Sequence, residues 1–174
     1  MSRYILIAGI NGAGKTTLYN MLENDIKSMI RQEKAGITAE ANIDQFISNR
    51  EDFCQETALC GENIIKNIVR AKEKGYFITM YYVGIEGVEL AKERVHYRFQ
   101  NGGHYVSDEV VECRWNETFF NLKNVLNYID EIYFYDNTIR MRYFAKYEQR
   151  HLVKNVDTFP NWFKKEIIDN FGLG

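Results

Sequence analysis

The stretch Gly9-Ile10-Asn11-Gly12-Ala13-Gly14-Lys15-Thr16 constrains this chain more than any other. It fits the pattern G-x-x-x-x-G-K-[ST], whose glycines let the backbone wrap closely enough for successive N–H groups to face one anion. Its flanks supply the context the pattern needs. Tyr4 to Ile10 (YILIAGI) is a short apolar run without polar alternation, as expected of a parallel strand covered on both faces. Thr16 to about Gln32 has a helical period through Leu18, Met21, Leu22, Ile26 and Met29-Ile30. The helix therefore begins where a phosphate would sit, and its first amides and dipole add to the attraction. Lys15 is expected to bridge the β- and γ-phosphates, and the Thr16 hydroxyl to ligate Mg²⁺.

The rest of the chain alternates between strand and helix signals. A second helix is expected from about Thr38 to Ser48, and a short strand from Asp52 to Glu56. Gly61 to Lys74 carries Ile64, Ile65, Ile68, Val69 and Ala71 on one stripe and closes at Gly75, the pattern of an amphipathic helix. Phe77 to Val83 (FITMYYV) is the strongest β run. Helices are expected over Glu86 to Gln100 and Asp108 to Tyr128, and a strand over Ile132 to Tyr135. Met141 to Tyr147 and His151 to Val156 fit a hairpin, and Trp162 to Phe171 a terminal helix. Such alternation predicts an α/β fold: three layers around a mainly parallel sheet, of the P-loop NTPase type.

Composition narrows the classes. With 174 residues the expectation is one domain over 1–174, in which 91–115 form a candidate lid and 138–174 a hairpin and helix. Lys and Arg number 22 against 24 Asp and Glu, a net charge of -2, which argues against a whole-domain footprint for nucleic acid. No apolar run approaches the ~18 residues of a membrane span, so no membrane association is expected. The 3 cysteines (Cys54, Cys60, Cys113) lack metal-ligand spacing and suit a reduced, cytoplasmic protein. A guanine-specificity N-K-x-D pattern is not found, nor an apolar run ending in Asp-Glu. A GTPase and an ATP-driven machine are therefore less favoured than a small-molecule kinase.

Glu93 to Arg114 (ERVHYRFQNGGHYVSDEVVECR) is the segment that discriminates further. Arg94 and Arg98 stand four apart and project from one helical face, just before the break at Gly102-Gly103-His104. Two forked, permanently charged side chains beside a flexible loop suit a lid over a transferring phosphoryl group. A solvated basic face has the same spacing.

These blocks together resemble the zeta toxin family of P-loop kinases, which includes UDP-N-acetylglucosamine kinases of toxin–antitoxin systems. The resemblance rests on GINGAGKTTLY (Gly9 to Tyr19), FCQETALCG (Phe53 to Gly61), AKEKGYFITMYYVGIEG (Ala71 to Gly87) and ERVHYRFQNGGHYV (Glu93 to Val106). Arg114, Asn121-Leu122 and Tyr135-Asp136-Asn137 follow in the family's order. It implies ATP and Mg²⁺ as cofactors, with the nucleotide on Asn11, Gly12, Ala13, Gly14, Lys15, Thr16 and Thr17. Thr16 would be the metal ligand, and Lys15, Arg94, Arg98 and Glu56 the catalytic set. Glu56, Thr57 and His104 would face the substrate, a nucleotide-sugar such as UDP-N-acetylglucosamine, and an antitoxin protein is the implied partner. Glu56 also fits a helix N-terminal carboxylate, His104 a surface loop, and Asp136-Asn137 either the nucleotide side or a turn.

One family feature is not found. The strand expected after the phosphate-loop helix, ending in an Asn-x-Asp-Glu type motif with the general-base aspartate, has no counterpart here. Asn24-Asp25 and Asp44 are the nearest candidates, and both fall within helical stretches. A catalytically impaired nucleotide-binding protein acting through a partner is therefore the alternative expectation. The Tyr/Phe-rich stretch from Tyr133 to Tyr147 would be its exposed face, or else core. A nucleic-acid-linked ATPase is a third, disfavoured by the net charge.

Overall fold

Four of the apolar runs become parallel strands of one sheet: β1 (Arg3–Ala8), β2 (Phe53–Thr57), β3 (Phe77–Gly84) and β4 (Glu131–Asp136). The computed structural model describes residues 1–30 and 42–172. β5 (Arg142–Glu148) and β6 (His151–Lys154) continue the sheet antiparallel, giving the order β2-β1-β3-β4-β5-β6. β1 lies inside the sheet with Tyr4 to Ala8 all buried, which is why its sequence shows no polar alternation. The register pairs Ala8 with both Thr57 and Tyr82, and Gly84 with Asp136. The carboxyl ends of the four parallel strands thus open along one edge of the sheet.

The helices are α1 (Lys15–Met29), α2 (Ile43–Asn49), α3 (Glu62–Glu73), α4 (Val88–Gln100) and α5 (Asp108–Val125). Neighbouring residues of β3 show how the layers divide, because successive side chains of a strand point to opposite faces. Tyr81 reaches Met29 of α1, whereas Tyr82 meets Thr118 and Phe119 of α5. α3 packs against α5 and lies in the same layer. The expected three-layer α/β sandwich, a P-loop-type fold with a mainly parallel sheet, is the architecture observed.

The differences from the sequence expectation are local. The first helix ends at Met29 with Ile30 in extended backbone, and Arg31 and Gln32 lie outside the described residues. Of the second expected helix, the part before Asn42 lies outside the described residues. The helix expected to reach Tyr128 becomes α5 plus a 3₁₀ turn at Leu126–Tyr128. The terminal helix is interrupted: Asn161–Phe163 and Asp169–Phe171 are α-helical, and Lys164–Ile168 form a π-turn between them. Among the described residues β2 is an edge of the sheet, and no strand lies between α1 and β2.

The Tyr133–Tyr147 stretch forms β4 and β5 rather than an exposed aromatic face. Phe134, Phe144 and Tyr147 are buried, and Phe134 and Phe144 both pack edge-on against Phe163 of the terminal segment. The exposed aromatics among the described residues lie elsewhere, at Tyr97, Phe99, Tyr105, Phe120 and Tyr128. Among the described residues no helix is long and apolar enough to cross a membrane.

Candidate active site

The loop between β1 and α1 is held from three sides. Its start is tied to β2, where the Gly9 amide donates to the Thr57 carbonyl at 3.2 Å. Its middle lies against α4: at Gly12 (φ +81°) a Cβ would stand 2.8 Å from the Ala91 carbonyl oxygen. Its end lies against the loop after β4: at Gly14 (φ +99°) a Cβ would stand 2.4 Å from Asn137 Nδ2. That same Asn137 amide donates to the Ala13 carbonyl at 2.8 Å. Both glycines are therefore required by conformation and by space.

The first turn of α1 differs from those of the other long helices. Gly14 is its N-cap with no side-chain hydrogen bond, and the first turn holds no acidic residue. The first turns of α3, α4 and α5 carry Glu62, Glu89, and Asp108 with Glu109, respectively. Carboxylates there normally complement the positive end of the dipole. At α1 that place is left to an external anion, and the leading amides have no intrahelical acceptor.

The cations converge on this point. Lys15 Nζ lies 3.3 Å from the Ile10 carbonyl oxygen. Burial pushes its pKa below the ordinary lysine value, Arg98 and Arg114 push it the same way, and Glu56 opposes them. Positive groups crowded around a desolvated lysine are stabilised by a multiply charged anion. Arg94 donates from Nη2 to the Thr138 carbonyl at 3.0 Å and points Nη1 at the Gly12 carbonyl, 3.5 Å away. Arg98 is exposed, and its side chain makes no hydrogen bond or ion pair among the described residues. Arg114, on α5, donates from Nη1 to Asn11 Oδ1 at 2.9 Å.

Thr16 and Glu56 form the acidic corner. The Thr16 hydroxyl donates to Glu56 Oε2 at 3.2 Å, across the gap between α1 and the end of β2. Two oxygen donors suit Mg²⁺, which takes one or two protein oxygens and completes its shell with phosphate and water. Among the described residues no group of three or more His, Cys, Asp or Glu could hold a metal by itself. Below this corner is a cleft of about 350 Å³, lined by Asn11, Lys15, Gln55, Glu56, Cys60 and Arg114 among others. Burial raises the Cys60 thiol to about 12, so it stays neutral.

The residues named from sequence separate into two groups. Asn11, Gly12, Ala13, Gly14, Lys15, Thr16, Glu56 and Arg94 are brought together, with Arg98 close enough to act on Lys15. Thr17 is exposed on the first turn of α1. Thr57 lines the cleft beside Glu56, and its hydroxyl accepts from the Leu59 amide at 2.9 Å. His104 is exposed in the segment between α4 and α5 and makes no hydrogen bond or ion pair among the described residues. Asp25 is exposed on α1, and Asp44 pairs with Arg70 at 2.5 Å; neither lines the cleft. The sequence reading gave Arg114 no role and passed over Thr138. Helical phase signals Arg114, which stands three after buried Val111 and beside buried Trp115. No local signal marks Thr138, which contributes a backbone carbonyl.

No protein-family model matches the chain. An uncharacterized protein of Haemophilus influenzae is 27% identical over 130 residues, covering 66% of this chain and 93% of that one. Among solved structures, the PezAT chromosomal toxin-antitoxin system of Streptococcus pneumoniae aligns with TM-score 0.60 and 16% identity, over 99% of this chain and 79% of that chain. The chain shares its fold with that toxin-antitoxin protein. The AvrRxo1-ORF1:AvrRxo1-ORF2 complex with sulphate ions aligns with TM-score 0.62 and 14% identity, over 89% of this chain. The chain spans 61% of that AvrRxo1 chain. A structure of the same complex with ATP gives TM-score 0.57 at 12% identity.

Proposed function

We propose that this protein is an ATP- and Mg²⁺-dependent kinase that phosphorylates a hydroxyl of a small molecule. The observation that carries the reading is the convergence of Lys15, Arg94, Arg98 and Arg114 on a helix N-terminus free of acidic residues, opposite the Thr16–Glu56 pair. The fold's neighbours support it, since one AvrRxo1 structure contains ATP. In this reading the loop amides and Lys15 hold the β- and γ-phosphates. Arg94 and Arg98 stabilise the charge that develops on the transferring group. Arg114 and Asn11 form the wall between the phosphates and the acceptor cleft. Mg²⁺, when bound, would neutralise phosphate charge between Thr16 and Glu56. That assigns Glu56 to the metal side. Transfer then depends on positioning and charge stabilisation, which dominate this chemistry.

For the acceptor we propose a nucleotide-sugar of the UDP-N-acetylglucosamine class, as the resemblance implies. ADP formation against a panel of UDP-sugars tests both levels. The expected result is turnover with at least one of them that Lys15→Ala abolishes. Equal rates for wild type and Lys15→Ala across the panel would remove the kinase assignment.

A second reading, a nucleotide-binding protein acting through a protein partner, is favoured by the exposed Tyr97 and Phe99 on the arginine helix and Tyr105 just after it. Its support among the neighbours is that PezAT is a toxin-antitoxin system. Calorimetry separates the two: tight ATP binding with no phosphate transfer to any acceptor selects the second.

A further inference from the structure

Arg94 is anchored by a carbonyl, and that carbonyl belongs to a loop with its own chain of supports. The Asp136 carboxylate ends β4 and is buried. Its Oδ1 accepts from the Thr138 hydroxyl at 2.6 Å, from the Thr138 amide at 3.3 Å and from the Trp162 indole Nε1 at 3.0 Å. Oδ2 faces Arg142 Nη2 at 3.6 Å. The Thr138 hydroxyl also accepts from the Glu86 amide at 3.0 Å, and Glu86 Oε2 accepts from the Trp162 amide at 3.2 Å. Trp162 packs against the end of β3, where a Cβ on Gly84 would stand 2.3 Å from its ring. The indole is thus fixed by packing before it donates a hydrogen bond.

From this geometry we infer that Asp136 and Trp162 are positioning residues for Arg94. A buried carboxylate with three donors on one oxygen holds the residue 138 loop in one conformation. That conformation sets the Thr138 carbonyl 3.0 Å from Arg94 Nη2 and so aims the other guanidinium nitrogen at the phosphate loop. The terminal helical segment, more than sixty residues along the chain from α4, thereby decides where a phosphate-binding arginine stands. Nothing in the relay touches a phosphate position itself. Its catalytic consequence rests on the kinase reading; its structural content does not.

The test has two arms. In isotope-labelled full-length protein, the Arg94 side-chain N–H signal, assigned with Arg94→Lys, should be slowly exchanging. Asp136→Ala should make it exchange at least about tenfold faster, Trp162→Phe should do so to a smaller degree, and Asp136→Asn, which keeps an acceptor oxygen, should leave it near wild type. An Arg94 signal unchanged in Asp136→Ala and in Trp162→Phe overturns the relay, whether or not the protein turns over ATP. If Asp136→Ala does not fold, Trp162→Phe and Asp136→Asn decide. In the kinetic arm, Asp136→Ala should lower kcat about 10²-fold with ATP affinity changed less than about threefold, the size of losing one transition-state donor. Placed on Arg94→Ala, the same substitution should cost nothing further. Losses that multiply would show that Asp136 acts on the fold at large and would overturn the relay. Wild-type protein that neither binds nor turns over ATP removes the kinase reading while the exchange arm still decides the relay.

Discussion

Arg94 and Arg98 stand one turn apart on α4 and differ in almost every physical respect. Arg94 is half-buried, its guanidinium shared between the Thr138 and Gly12 carbonyls. Arg98 is exposed, with no partner among the described residues, and its backbone carbonyl accepts from the Gly103 amide at 2.9 Å. The contrast extends to the loops beside them. The phosphate loop is tied to β2, α4 and the segment after β4, whereas the segment from Asn101 to Tyr105 is almost entirely exposed. A seat that exists before its ligand avoids reorganisation at the moment of reaction. A free arginine beside an exposed loop provides charge that is ordered only when something binds. One helix therefore carries a preformed group at its middle and an adaptable one in its last turn.

The largest expected effects lie on the preformed side. Gly14→Ala adds a Cβ 2.4 Å from Asn137 Nδ2 at φ +99° and should weaken ATP binding at least about 100-fold by calorimetry. Lys15→Ala should lower kcat ~10³-fold while leaving the thermal midpoint near wild type, since it removes a desolvated charge. If Gly14→Ala binds ATP normally, the phosphate loop is not the rigid member of the pair.

Next comes the pair itself. Arg98→Ala should lower kcat about 10²-fold with stability unchanged to within about 0.5 kcal/mol, because nothing in the folded chain depends on it. Arg94→Ala should lower kcat similarly but also cost about 1 kcal/mol in urea unfolding, from the lost carbonyl contacts. Equal stability effects would erase the distinction.

Smaller effects test the outer loop. A Cβ on Gly103 would meet Arg98 Cγ at 2.7 Å, so Gly103→Ala should shift Arg98 and reduce kcat by roughly fivefold, with ATP affinity unchanged. His104→Ala should change kcat by less than about threefold. A tenfold loss there would give the outer loop a direct role in transfer.

The smallest effect is a pH dependence. Burial depresses the Lys15 pKa in the folded chain, so as pH rises the native state releases this proton before the unfolded state does. Between the two pKa values the unfolded state holds more protons, so this group's contribution to stability rises with pH. Subtracting the pH profile of Lys15→Met from that of wild type isolates it from the tyrosines and cysteines. The difference should rise on the alkaline side, and a falling one would place Lys15 in a charge-stabilising environment instead.

Much of this was legible in the sequence, in proportion to how local each feature is. Gly9 to Thr16 could be read because a backbone nest and a helix start are set by neighbours along the chain. β3 was visible because FITMYYV is buried on both faces from Ile78 to Val83. Asp52 to Glu56 read as a weak strand, and its importance came from the pairing of Phe53–Thr57 with β1, which brings Glu56 to Thr16. Arg94 was readable as one of two arginines on a helical face, but not as the tethered one. What tethers it is a carbonyl from a distant loop. The Tyr/Phe-rich stretch was open to two readings, and Phe163 and Trp162 packing on Phe144 settle it as core.

By itself the sequence determined the alternation of strands and helices, the phosphate loop and the sign of the charges near it. These depend on periodicity, on glycine conformation and on side-chain chemistry, all written within a few residues. Tertiary structure alone decided which arginine is held and which is free, why Gly14 admits no side chain, and that Glu56 faces Thr16. Those facts arise where segments far apart in the chain meet at the carboxyl edge of the sheet. Such contacts are set by packing and register, which no local window contains.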